Sequence, residues 1–81
     1  MKIRVLAFAR LRELLDGPDR ILELAEGERV RDAWEALVRT QPALEEERAS
    51  TRVARNGALV AFDVSLADGD ELALLPPVGG G

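Results

Sequence analysis

Residues 30–38, VRDAWEALV, decide the fold because they form the one long amphipathic helix that the sequence predicts. The apolar side chains recur at the i, i+3, i+4, i+7 and i+8 spacing of a helix with one buried face. They are Val30, Ala33, Trp34, Leu37 and Val38. Gln41-Pro42 ends this helix, since a residue before proline disfavours the helical conformation. We expect Trp34 to anchor the helix on a sheet.

The residues before this helix predict two strands and a short helix. Residues 2–8, KIRVLAF, alternate and place Ile3, Val5 and Ala7 on one face. Residues 20–24, RILEL, predict a second strand. Between them, ARLRELLDG has leucines at helical spacing, and Gly17 is the expected left-handed residue after its end. Arg29 stands at the start of the main helix, where Ser, Thr or Asp would cap better.

The residues after this helix predict three short strands. ALEEERAS can form one or two more helical turns, and TRVAR and ALVAF flank the tight-hairpin pair Asn56-Gly57. ELALL is the last strand, and Pro76-Pro77 stops it. One main helix on one face of a sheet of four to five strands, with short extra helices, indicates an α+β roll.

Composition excludes several classes of function. The chain has 81 residues, a net charge of −4 and scattered basic residues, which argues against a nucleic-acid partner. No apolar run approaches the roughly 20 residues of a membrane span, and the start lacks a secretory signal, so we expect a cytoplasmic protein. With no Cys and no His, thiol chemistry and the commonest general base and metal ligand are missing.

Carboxylates are the remaining candidates for catalysis or metal binding. Two groups of them stand close together in the sequence, and neither has the pattern of a catalytic or metal site. Adjacent carboxylates at residues 45–47 would point in different directions on a helix, which favours a solvated face over a cation site. Asp68 and Asp70 lie in a turn around Gly69, where aspartate commonly serves local hydrogen bonding. We therefore expect no metal and no independent hydrolase.

The end of the sequence, LLPPVGGG, suggests a working group outside the folded domain. We predict a domain over residues 1–77 and a flexible glycine-rich tail over 78–81. Because glycine has no Cβ, a partner could close directly around Gly79 and Gly80 and receive the carboxylate of Gly81. That carboxylate needs activation, for example as a mixed anhydride with AMP. A partner must supply the nucleotide site, since the chain has no P-loop and no G-x-G-x-x-G.

Four segments together resemble a known family. They are FARLRE (8–13), RNGALV (55–60), DGDELALLPPV (68–78) and the final Gly80-Gly81, and they resemble the small subunits of molybdopterin synthase. Members of that family are sulfur carriers with the ubiquitin-like β-grasp fold. The resemblance covers essentially the whole chain.

The resemblance implies a carrier that performs no catalysis alone and binds no cofactor. An E1-like adenylyltransferase would use ATP to adenylate Gly81, which then becomes a thiocarboxylate. The large synthase subunit would receive the tail, and the sulfur would enter the dithiolene of molybdopterin. Gly80 would pass through the partner's tunnel.

The resemblance also implies contacts with partners. Phe8, Leu59 and Leu75 match positions that dock apolar side chains. Strand alternation independently predicts that these three face away from the helix. Arg12 could add an ion pair at the rim. Leu75 is aliphatic where an aromatic residue is frequent in the family.

Two alternatives stay open at the level of sequence. Related β-grasp carriers supply sulfur for thiamine, tRNA thiolation or cysteine synthesis, and some are conjugated to lysines. A purely non-covalent ubiquitin-like interaction module would use the same fold with an inert tail.

Overall fold

The structure, a computed structural model, describes residues 1–77. The predicted tail, including Gly79, Gly80 and Gly81, lies outside the described residues. The boundary between domain and tail at residue 77 therefore stays a prediction.

Residues 1–77 form five strands and three helices. In chain order they are β1 (Lys2–Ala7), α1 (Ala9–Leu14), β2 (Asp19–Glu23), α2 (Val30–Thr40), a 3₁₀ helix (Pro42–Ser50), β3 (Arg52–Arg55), β4 (Ala58–Val60) and β5 (Glu71–Leu75). The strands form one sheet in the order β2-β1-β5-β3-β4. β1 and β5 are parallel, and the other neighbouring pairs are antiparallel. The predicted α+β class with a mixed sheet is confirmed.

The core lies between the sheet and α2. Alternate residues of the central strands point towards the helix and are fully buried, as the pattern in residues 2–8 predicts. Trp34 is 3% exposed and packs edge-on against Phe62, with ring centroids 6.0 Å apart and an interplanar angle of 82°. Trp34 therefore anchors α2 on one face of the sheet. The other face of the sheet is not covered by that helix.

The backbone N–H groups at the start of α2 have more hydrogen-bond partners than the sequence suggests. Arg29 is the N-cap and its side chain makes no capping bond, but its backbone N–H donates to the Asp32 carboxylate at 2.7 Å. The free N–H groups of Val30 and Arg31 donate to the carbonyls of Val64 and Phe62. The weak cap expected at Arg29 is thus compensated by an acidic residue in the first turn and by a neighbouring loop.

The end of α1 corrects a second expectation. Asp16, with φ 58, occupies the left-handed position that we assigned to Gly17. The N–H of Gly17 donates to the carbonyl of Arg12 at 3.0 Å, and the N–H of Asp16 donates to that of Glu13 at 3.2 Å. This is the hydrogen-bond pattern of a Schellman motif placed one residue earlier than predicted. Aspartate tolerates the left-handed region better than most residues with a Cβ. Moving the left-handed position from Gly17 to Asp16 therefore costs little free energy.

The hairpin between β3 and β4 is fastened to the turn before β5. Asn56 and Gly57 have φ of 49° and 87°, the left-handed pair that a tight hairpin needs. The Asn56 amide donates to the Asp70 carboxylate at 2.9 Å, and the backbone N–H of Ala67 donates to the same carboxylate at 2.8 Å. Asp70 therefore holds two loops together at one end of the sheet.

The Asp70 carboxylate predicts a dependence of stability on pH. Burial alone would raise the pKa of Asp70, but the hydrogen bonds from Asn56 and Ala67 and the charge of Arg55 outweigh it and hold the pKa below 3.8. A lowered pKa stabilises the fold above pH 3.8, and this contribution disappears as the pH falls through the pKa of the folded state. The difference in unfolding free energy between the wild type and Asp70→Asn should therefore shrink between pH 7 and pH 3.

Urea unfolding at several pH values measures this difference. Asp63→Asn removes a charge from an exposed carboxylate and serves as the matched control. A difference between wild type and Asp70→Asn that stays constant down to pH 3 would contradict the role given to Asp70.

Candidate functional site: the outer face of the sheet

The face of the sheet opposite α2 divides into a charged half and a mainly apolar half, which Asp19 and Arg52 border. Near the start of β1, this outer face carries Lys2, Arg4 and Glu71, with Arg4 paired to Asp19 at 3.0 Å. Towards the end of β1, the outward residues become apolar. Strand alternation decides which residues face outwards, and strand register decides which of them are neighbours across strands. Together they set the boundary between the charged and the apolar parts of this face.

A row of four apolar residues crosses four neighbouring strands. Leu6 is in register with Ala73, Ala73 with Ala54, and Ala54 with Leu59. Neighbouring strands lie about 4.8 Å apart, so the row spans about 14 Å. Ala54 is only 6% exposed although it faces outwards, whereas Leu59 at the edge is 60% exposed.

Phe8 and Leu75 extend this row into a patch. Each lies two residues beyond a member of the row, Leu6 on β1 and Ala73 on β5, so both share its face. Phe8 has extended backbone angles, φ −128° and ψ 155°, and continues the alternation of β1. Its side chain is 45% exposed. We call Leu6, Phe8, Ala54, Leu59, Ala73 and Leu75 the apolar patch.

The turn after Phe8 separates the patch from α1. Ala9 has φ 52, a left-handed conformation that costs a residue with a Cβ about 1–2 kcal/mol. The carbonyl of Phe8 accepts the N–H of Leu11 at 3.1 Å and that of Arg12 at 3.3 Å. The chain thus leaves the sheet abruptly, and Phe8 remains the last residue to follow the strand.

The structure brings the three predicted apolar residues to one face. Phe8, Leu59 and Leu75 belong to a single patch, which sequence alternation could not show by itself. Sequence reasoning missed Leu6, Ala54 and Ala73, which connect them. Arg12 lies exposed on α1, close to Phe8 along the chain, and makes no ion pair within residues 1–77. Gly79, Gly80 and Gly81 lie outside the described residues.

Residues 1–77 contain no pocket and no group of three or more His, Cys, Asp or Glu able to hold a metal ion. Within the acidic run at 45–47, Glu47 pairs with Arg10 at 3.5 Å. None of the helices in this part of the chain has the length and apolar character needed to cross a bilayer. An exposed apolar patch on a sheet is typical of a contact with another protein.

Comparison with known proteins identifies the family. The model of the ThiS family matches residues 5–81. This chain belongs to the ThiS family. The match runs from β1 through the apolar patch and on to the last residue of the sequence.

Several known proteins resemble the chain over its full length. It is 37% identical over 81 residues to the molybdopterin synthase sulfur carrier subunit of Arabidopsis thaliana, covering 100% of this chain and 84% of that protein. The crystal structure of the small archaeal modifier protein 1 from Haloferax volcanii superposes with a TM-score of 0.88 and 35% identity, covering 100% of both chains. These likenesses confirm the predicted ubiquitin-like β-grasp fold and the resemblance to molybdopterin synthase small subunits.

A third relative was solved together with a partner. In the protein–protein complex of subunits 1 and 2 of the molybdopterin-converting factor from Helicobacter pylori, the matching chain has a TM-score of 0.69 and 26% identity, with 100% of both chains covered. A chain that resembles this one over its full length is therefore found in a complex of two different subunits.

Proposed function

We propose that this chain is the sulfur carrier subunit of a molybdopterin synthase. The observation that carries the proposal is its likeness, over all 81 residues, to a sulfur carrier subunit of that enzyme. The likeness to one chain of the two-subunit converting factor supports it. The chain itself would catalyse nothing and would bind no cofactor.

The sulfur would travel on the carboxyl carbon of Gly81. A carboxylate is a poor electrophile, so an E1-like adenylyltransferase would first use ATP to form the acyl adenylate and release pyrophosphate. Sulfur supplied by a donor as hydrosulfide would then attack the carbonyl carbon, AMP would leave with the bonding electron pair, and loss of the S–H proton would give the thiocarboxylate. The large synthase subunit would take up the tail and direct this sulfur into the dithiolene of molybdopterin, with Gly79 and Gly80 narrow enough to pass through a tunnel.

The apolar patch would provide the docking surface for the large subunit and for the activating enzyme. Phe8, Leu59 and Leu75 are the proposed contacts, and the alanines between them keep the surface flat. Arg12 would lie at the rim, where an ion pair affects the association rate more than the affinity. Both partners would meet the chain in the cytoplasm.

A second function is favoured by one observation, the similarity to a protein named small archaeal modifier protein 1. A modifier would use the same acyl adenylate but transfer the carboxyl carbon of Gly81 to an amine of another protein. The two functions share the activation step and differ only in the group that attacks the activated carbon.

Reconstitution with purified partners separates these functions. The chain is first thiocarboxylated by the activating enzyme and then mixed with the large synthase subunit and the pterin precursor. We expect a dithiolene product formed in proportion to the carrier consumed, and no product when the carrier is left as the carboxylate. Thiocarboxylated carrier that yields no dithiolene would contradict the proposal.

A further inference from the structure

The carbonyl of Leu14, at the end of α1, accepts a hydrogen bond from a side chain at the end of α2. A helical carbonyl ordinarily accepts the N–H of the residue four positions further on, which here is Pro18 and has no N–H. The three carbonyls before it accept backbone N–H groups of residues 15–17. The side-chain amide of Gln41 donates to the Leu14 carbonyl at 2.7 Å, in a partly buried position. Gln41 therefore supplies the donor that the proline removes.

Gln41 is itself held in place by the core. It is the C-cap of α2, and its backbone N–H donates to the carbonyl of Leu37 at 2.9 Å. Trp34 and Leu37 of the same helix are buried in the core. Pro42 follows and restricts the backbone of Gln41 further. The hydrogen bond from Gln41 thus ties the end of α1 to a helix that the core fixes.

α1 needs this tie because it is short. It has six residues, and an isolated helix shorter than about 12 residues is marginal in water. Leu11 and Leu15 are buried and keep α1 on the domain. Apolar contacts are not directional, however, whereas a hydrogen bond weakens steeply when its angle changes. The bond from Gln41 therefore contributes to the direction in which α1 points.

The other end of α1 is strained at Ala9. Its φ of 52° is unfavourable for a residue with a Cβ, and such a conformation persists only where the surrounding structure holds it. Phe8 comes directly before, and its carbonyl accepts the N–H groups of Leu11 and Arg12 in the first turn of α1. A change in the direction of α1 is therefore transmitted to Phe8.

We propose that Gln41 is a positioning residue for docking. Its hydrogen bond to Leu14 holds α1 in the direction that keeps Ala9 left-handed and Phe8 in the apolar patch. Gln41 acts through α1 and not by touching the partner. This inference rests on the proposed function, in which the apolar patch docks on the large synthase subunit.

Gln41→Met removes the donor and keeps a side chain of similar length. Titration calorimetry of the full chain with the large subunit should show a Kd raised by about fivefold or more. The rate of dithiolene formation at a saturating concentration of the thiocarboxylated variant should be unchanged, because Gly81 is untouched. An unchanged Kd, or a fall in the rate at saturation, would overturn the proposal.

Two further variants serve as control and as substitute. Ala43→Met places the same side chain on an exposed position of the 3₁₀ helix and should bind as the wild type does. An equal loss of affinity for Ala43→Met would overturn the proposal. Gln41→Asn keeps the amide but shortens its reach by one carbon, and it should also raise the Kd. If Gln41→Met does not fold, an unchanged Kd for Gln41→Asn overturns the proposal in its place.

Ala9→Gly separates positioning from a general loss of stability. Glycine adopts the left-handed region freely, so the strain that would displace Phe8 disappears. Ala9→Gly alone should leave the affinity unchanged. Added to Gln41→Met, it should restore the Kd to within about twofold of the wild type. Failure of this rescue would show that the lost affinity has another cause and would overturn the proposal.

Binding by the wild-type chain distinguishes failure of this inference from failure of the proposed function. If the wild type and Gln41→Met bind the large subunit equally well, the inference fails and the proposed function stands. If the wild type does not bind the large subunit, both fail, because there is no docking for Gln41 to support.

Discussion

Deletion of Gly81 is expected to abolish sulfur transfer while leaving the fold unchanged. The proposed chemistry takes place at the carboxyl carbon of this residue, so its removal shifts the reacting atom by a full residue from the partner's active site. A misplacement of only about 1 Å can cost a factor of 100 in rate. The core residues that the structure describes lie between Ile3 and Leu74, so loss of Gly81 should change the free energy of unfolding by less than about 0.5 kcal/mol. Dithiolene formation and urea unfolding measure the two effects.

Gly80→Trp is the companion variant for threading of the tail. It keeps the terminal residue and its carboxylate but adds a side chain too bulky for a narrow channel. We expect loss of transfer to the precursor at an unchanged melting temperature. Full turnover by either variant, or a large fall in melting temperature on deletion of Gly81, would contradict the proposed role of the tail.

Leu59→Arg is expected to weaken binding to the large subunit by about 30-fold or more, the effect of losing one of the few contacts that dominate the affinity of an interface. Leu59 ends the row of apolar residues and is 60% exposed, so its replacement buries a charge only when the partner is bound. The unfolding free energy of the isolated chain should change by less than about 0.5 kcal/mol. Titration calorimetry with the large subunit measures the affinity.

Ile21→Arg is the matched control for that experiment. Ile21 is 62% exposed on the same face, but it lies opposite Arg4 in the charged half, outside the apolar patch. The same substitution at equal exposure should leave the affinity nearly unchanged. Equal losses for the two variants would show that the patch has no particular role and that the whole face responds to charge.

Much of the fold could be predicted from the sequence because local patterns were strong. The apolar spacing around Trp34, the alternation in residues 2–8 and the Asn56-Gly57 pair each specify one element through short-range chemistry. The same alternation predicted the outward direction of Phe8, Leu59 and Leu75. These features depend on neighbours a few residues apart, which the sequence displays directly.

The connected patch could not be predicted because it depends on pairing between distant strands. Ala54 and Ala73 look unremarkable in sequence and become neighbours only because β5 lies between β1 and β3. The hydrogen bonds at the start of α2 could not be predicted for a related reason. The carbonyls that accept its N–H groups belong to a loop some 30 residues further along the chain. The shift from Gly17 to Asp16 at the end of α1 is different, because two adjacent residues both tolerate the left-handed region.

The most direct test of the account is the intact mass of the chain after co-expression with the E1-like activating enzyme and a sulfur donor. The account predicts that one oxygen is exchanged for sulfur, that fragmentation locates the change at Gly81, and that the large subunit with precursor reverses it. A chain that keeps its original mass while the activating enzyme thiocarboxylates another ThiS-family protein would contradict the account.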